Sequence, residues 1–152
     1  MKKLSVRQIV LCFSVIILVL CFVFSGYTQN MPDSKTNSEE NFVQVKGTKL
    51  WYKIEGKGEA LLLIAGGPGL SHSYFQPYFS VLSDFYRIIY FDAFGCGKSD
   101  RAKSPNEYTF ERDVDDIEGI RKALNLEKIN VLGHSYGGLV AQAYALKLSK
   151  FG

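Results

Sequence analysis

The clearest chemistry in this sequence sits in Gly133-His134-Ser135-Tyr136-Gly137-Gly138. The spacing is G-x-S-x-G, with an apolar strand-like run before it and an apolar helix-like run after it, the setting in which a serine stands on a tight strand-to-helix turn. Gly133 and Gly137 have no side chains to hold the strand and the helix apart around that turn. The helix amino terminus behind Ser135 favours the negative charge that develops when a hydroxyl attacks a carbonyl. Such acyl chemistry also needs hydrogen-bond donors aimed at the oxygen of the tetrahedral intermediate, and backbone N–H groups are the usual supply. The Tyr136 N–H is one candidate. The Gly67 N–H, from Gly66-Gly67-Pro68-Gly69, is the other; Pro68 adds no donor but stiffens the loop.

A third glycine-rich segment runs from Asp92 to Ser99 and ends in Gly97-Lys98-Ser99, as a phosphate-binding loop would. The first glycine of that motif would fall at position 92, which is Asp92, and no helix pattern follows before Pro105, so a nucleotide is excluded. Asp92 is expected instead to brace its turn through local hydrogen bonds. Of the two histidines, His134 adjoins the serine, where neighbouring side chains point different ways. His72 follows the GGPG loop and is expected as a loop histidine at the pocket mouth rather than a base. No metal site and no cofactor is expected.

The elements that must hold these segments follow from the apolar pattern. Phe42–Val45 and Leu50–Ile54 flank the Lys46-Gly47-Thr48 turn as a hairpin. Ala60–Ala65, an unbroken apolar run, reads as a strand buried on both faces, and Tyr86–Phe91 and Lys128–Leu132 read as further strands. Tyr74–Leu82 predicts a short helix interrupted at Pro77. Thr109 predicts a cap, with Glu111 and Asp113 in the first turn and Phe110, Val114, Ile117, Ile120 and Leu124 as one apolar stripe. Leu139–Leu148 predicts a last helix. Strands alternating with helices give an α/β class with a mostly parallel sheet and right-handed crossovers.

The elbow at Ser135, the GGPG loop and the D-x-x-G-x-G-x-S segment, in this order, resemble the α/β-hydrolase superfamily, and the last two resemble its proline iminopeptidase group. The resemblance runs from about Phe42 to the end of the chain. It implies Ser135 as nucleophile and Gly67 with Tyr136 as the oxyanion hole. Ala65 departs from the group, which usually has histidine before GGPG. The superfamily places its triad in the order Ser, Asp or Glu, His, yet Tyr136–Gly152 holds no Asp, Glu or His. The expected domain, 42–152, is therefore an incomplete α/β-hydrolase fold, its amino-terminal half, without the triad acid and histidine. By itself it is expected to be inactive, with its last strand left at an open edge. The substrate implied is a small peptide or an ester. The readings left open are an aminopeptidase, an esterase or lipase-like hydrolase, and a non-catalytic remnant or membrane-tethered partner subunit.

Lys2, Lys3 and Arg7 precede an almost wholly apolar run, 9–24, so residues 1–25 read as a signal peptide or a membrane anchor, placing the rest outside the cytoplasm. Leu20 before Cys21 disfavours a lipoprotein. Residues 26–41 read as a flexible tether. The chain carries 18 basic and 15 acidic residues, so its net charge of +3 lies entirely in the head. That leaves no basic patch for nucleic acid. Cys12 and Cys21 also lie in the head, which leaves Cys96 without an internal disulfide partner.

Overall fold

The computed structural model describes residues 38–148. The apolar run at 9–24 and most of the tether lie outside them. Five strands form one sheet: β1 (Glu39–Val45), β2 (Thr48–Glu55), β3 (Glu59–Ile64), β4 (Tyr86–Phe91) and β5 (Asn130–Gly133). Two helices, α1 (Phe110–Ala123) and α2 (Tyr136–Leu148), accompany them.

The strand order is β1-β2-β4-β3-β5. β3 lies parallel to both β4 and β5, while β1–β2 and β2–β4 are antiparallel. The sheet is thus mixed rather than mostly parallel, because the hairpin docks its second strand on β4 in the opposite sense. Only the β4-β3-β5 part is the parallel βαβ arrangement, and it is the part that ends in the three glycine-rich loops. Among the described residues β5 is the last strand on its side.

The two faces of the sheet follow from side-chain alternation along the strands. Leu50, Tyr52 and Ile54 of β2, Leu62 and Ile64 of β3, and Ile89 and Phe91 of β4 pack with Val114, Ile117 and Ile120 of α1 and with Val140 and Tyr144 of α2. The alternate residues Trp51, Leu61, Leu63, Ile88 and Tyr90 pack on the other face with Phe75. Leu62, Leu63, Ile88, Ile89, Ile117 and Ile120 are wholly buried, so both layers exclude water from the strands that carry the loops.

Several elements differ from the sequence expectation. β1 begins at Glu39, so the tether does not extend to Asn41; Glu39, Glu40 and Asn41 pair with Ile54, Lys53 and Tyr52. Their polar side chains suit an edge strand, where only the backbone needs a partner, and that disguised them as linker. Tyr74–Leu82 is not one helix but two 3₁₀ segments, His72–Phe75 and Tyr78–Asp84, parted at Gln76 and Pro77. A buried carboxylate holds this region: Glu55 accepts from Gln76 Nε2 (3.0 Å), Ser80 Oγ (2.8 Å) and Tyr90 OH (3.1 Å), and pairs with Lys53. α1 starts as expected, with Thr109 Oγ1 accepting from the Arg112 N–H at 3.2 Å. One buried group on α1 is poorly satisfied. Asp116, fully buried, lies 3.7 Å from Arg112 Nε, and neither of its oxygens accepts a hydrogen bond among the described residues. Leu139 and Leu146 of α2 remain exposed. No helix among the described residues is long and apolar enough to cross a membrane.

Candidate active site

The carboxyl ends of β3, β4 and β5 lead into the segments that begin at Gly66, Asp92 and His134, the edge at which open parallel sheets bind ligands. The first and last are tied there by the His134 N–H, which donates to Ile64 O at 3.1 Å. The chain then turns so sharply that Ser135 adopts φ +52°, a left-handed conformation unusual for a residue with a side chain. The Gly137 and Gly138 N–H groups close the turn onto His134 O and Ser135 O, each at 2.9 Å. A Cβ on Gly133 would overlap the Gly137 carbonyl, so that glycine is what lets β5 and α2 meet. α2 begins at Tyr136, three residues earlier than the apolar run suggested, and its first residue directly follows an exposed Ser135.

The GGPG loop packs on this turn. A Cβ on Gly66 would stand 3.3 Å from Ser135 Cβ and 3.1 Å from His134 Nδ1. Gly67 has φ +116°, which only glycine adopts without strain. Among the described residues no acceptor engages the Gly67 or the Tyr136 N–H. The loop and the elbow therefore abut, with Gly67 one residue along from Gly66 and Tyr136 one along from Ser135. A cavity of about 480 Å³ opens beside them, lined by Gly66, Pro68, Phe94, Tyr108, Asp113 and Tyr136 among others.

Two polar groups of this cavity were not anticipated. Tyr136 OH donates to Asp113 Oδ2 at 2.6 Å, joining the first turns of α1 and α2. Burial raises the Asp113 carboxyl above its ordinary range, opposed by the Tyr136 hydroxyl and by Arg112. Tyr136 is itself raised, by burial and by Asp113. Cys96, which lines the cavity, is pushed up by burial and by Asp113 and Asp92, which keeps it a thiol and a poor competitor to Ser135.

Asp92 braces its turn as expected, and does more. Fully buried, it accepts at Oδ1 from the His72 N–H (2.8 Å) and contacts His72 Nδ1 (2.8 Å), while Oδ2 accepts from the Lys98 N–H (2.8 Å). It thus fastens the segment after the GGPG loop to the end of β4. His72 stacks on Trp51 with ring centroids 4.0 Å apart, and Lys98 Nζ lies 4.4 Å from the Trp51 ring centroid on its way to Glu40 (2.9 Å). Ser99 Oγ donates to Asp92 O and accepts from the Trp51 N–H. His72, Lys98 and Ser99 are consumed in this brace; none of these contacts is with Ser135.

A strained serine at the end of a parallel strand, followed at once by a helix and faced by a glycine loop from the neighbouring strand, defines a class. The α/β-hydrolase fold family matches residues 59–150, and the chain belongs to that family. Among individual proteins, it is 37% identical over 131 residues to a proline iminopeptidase of Saccharolobus solfataricus, covering 84% of this chain and 42% of that one. It is 44% identical over 111 residues to the proline iminopeptidase PfmaB of Pestalotiopsis fici, covering 70% and 38%. A solved proline iminopeptidase-related protein of Thermus thermophilus superposes with a TM-score of 0.70 at 27% identity, over 74% of this chain and 41% of that one. The chain spans about two fifths of the length of these relatives.

Proposed function

We propose that the chain carries the nucleophile and the oxyanion hole of a serine hydrolase, and that the hydrolase is an aminopeptidase of the proline iminopeptidase type. The observation that carries the reading is Ser135 at φ +52°, packed against Gly66 of the GGPG loop. In this reading Ser135 Oγ bonds to the substrate carbonyl carbon as its proton passes to a histidine, and the Gly67 and Tyr136 N–H groups hold the oxygen that becomes negative. Collapse of the intermediate expels the leaving amine or alcohol and leaves an acyl-enzyme that water hydrolyses. The histidine and its acid partner come from outside the 152 residues. The finer assignment rests on the iminopeptidase relatives, and an ester substrate is the alternative. The basic head with its apolar run supports export or membrane anchoring of the whole protein.

The reading of another class is a non-catalytic remnant or a partner subunit. A fluorophosphonate probe decides between them. Labelling of the full-length protein that disappears in Ser135→Ala is expected. A wild-type protein that does not label is the result that removes the hydrolase reading. Release of nitroanilide from a prolyl substrate, compared with p-nitrophenyl acetate, then separates peptidase from esterase.

A further inference from the structure

The oxyanion hole of the proposed reaction is made from two separate pieces of chain, so something must set their spacing. Gly67 belongs to the loop after β3 and Tyr136 to the elbow after β5. The Gly66 N–H, next to Gly67, donates to Tyr74 OH at 2.8 Å. The same hydroxyl lies 3.2 Å from Nδ1 of His134, next to Ser135. A phenol offers one proton and accepts through its lone pairs. Having accepted from Gly66, Tyr74 OH has its proton to give to Nδ1, which sets His134 as the tautomer with its proton on Nε2.

We propose that Tyr74 is a positioning residue of this site: its hydroxyl joins the oxyanion loop to the nucleophile elbow and thereby sets the separation of the Gly67 and Tyr136 N–H donors. The inference rests on the serine hydrolase reading. The bridge acts on Gly66, the residue before the Gly67 donor, and on His134, two residues before the Tyr136 donor. Tyr74 is well held to do this. Its ring stacks on Phe75 at 4.4 Å, and Phe75 is buried under the sheet and packs in turn on Phe79 at 5.0 Å. The 3₁₀ segment that carries Tyr74 is fixed at its start by His72 on Asp92. The hydroxyl is therefore anchored to the sheet through Phe75 and Asp92. Ala65 offers no polar side chain at this point of the loop, which leaves the link at Gly66 to Tyr74.

Removal of the hydroxyl leaves the ring packed and every N–H donor present, so loss of positioning shows in the transition state rather than in binding. In the full-length protein, Tyr74→Phe is expected to lower kcat for p-nitrophenyl acetate by about ten- to a hundredfold, the range of a misplaced rather than a missing donor. KM is expected to change less than about twofold, as an interaction made only in the transition state requires. Affinity for phenylboronic acid, whose adduct on serine places an oxygen in the hole, should fall in step with kcat. His134→Ala, which keeps the Gly66 bond and cuts only the link to the elbow, should repeat part of the loss. The double variant should be no worse than Tyr74→Phe. An unchanged kcat in Tyr74→Phe, a loss of kcat without loss of boronate affinity, or additive single effects would each overturn the bridge while Ser135 labelling leaves the hydrolase reading standing. Failure of the wild type to label at Ser135 removes both.

Discussion

Replacing Asp92 by Asn tests how the site loops are fastened. Asp92 is fully buried and holds three donors, the His72 N–H, the His72 ring nitrogen and the Lys98 N–H, each at 2.8 Å. An amide of the same shape keeps one oxygen and presents NH₂ where the other stood. If the oxygen stays with His72, the NH₂ faces the Lys98 N–H, and that donor loses its acceptor. A hydrogen bond to a charged group contributes about 1.5–3 kcal/mol, and the two bonds that remain fall to neutral strength, roughly half. The carboxylate's own burial cost disappears and offsets part of the loss. The net expectation is about 2–4 kcal/mol of lost stability. Urea unfolding of the full-length protein should show a lower midpoint with an unchanged slope. Turnover should fall as well, because two of these bonds, both to His72, hold the segment that follows the oxyanion loop and both are weakened. A variant within about 0.5 kcal/mol of wild type would refute the reasoning, since Asp92 would then be a spectator of its turn.

Two further outcomes are expected. Burial raises the Asp116 carboxyl from 3.8 to about 6, against the opposing pull of Arg112. Its folded value lies above its unfolded one, so its stabilising contribution is full below pH 4 and is lost as pH rises through about 6. Asp116→Asn has no such dependence, and its stability relative to wild type should therefore increase by about 3 kcal/mol between pH 3.5 and pH 7.5, measured by urea unfolding at each pH; a difference that stays flat would refute the assignment. Tyr136→Phe keeps the backbone N–H proposed for the oxyanion but strips Asp113 of its donor. It should lose about 1–2 kcal/mol of stability and less than about tenfold in turnover, whereas Ser135→Ala abolishes activity. Equal losses would mean that the Tyr136 hydroxyl itself takes part in the reaction.

The fold was legible where burial and periodicity coincide. The sequence reading of β4 matches its bounds to the residue, because Ile88-Ile89-Tyr90-Phe91 is a continuous apolar stretch that stops at Asp92, and β3 is legible as the unbroken run from Ala60. Thr109 announced α1, since a side chain that caps a helix sits at a fixed offset from the apolar stripe. The start of β1 was hidden, because an edge strand is held by its backbone and leaves Glu39–Asn41 looking like linker. The aromatic segment after the GGPG loop was misread as one helix because its geometry is set by distant groups, Glu55 above all. In the site, Ser135 and the two glycine loops were visible as motifs. Tyr74, Asp113 and the full reach of Asp92 were not, since the contacts of Tyr74 with His134, Asp113 with Tyr136 and Asp92 with His72 join residues 60, 23 and 20 positions apart. No local spacing signals a side chain that closes such a gap.

The stack of His72 on Trp51 gives the site an optical readout. Trp51 is the single tryptophan of the 152 residues and only 2% exposed, so its emission should lie to the blue. Imidazole in contact with an indole quenches its fluorescence, more strongly when protonated, and His72 belongs to the segment that closes the GGPG loop. Intensity from this one residue would therefore report whether the loop is seated on the sheet. Lifting the loop separates the rings and brightens the indole before any global unfolding moves its wavelength. A stopped-flow trace on the unmodified chain would register such a change without an attached dye.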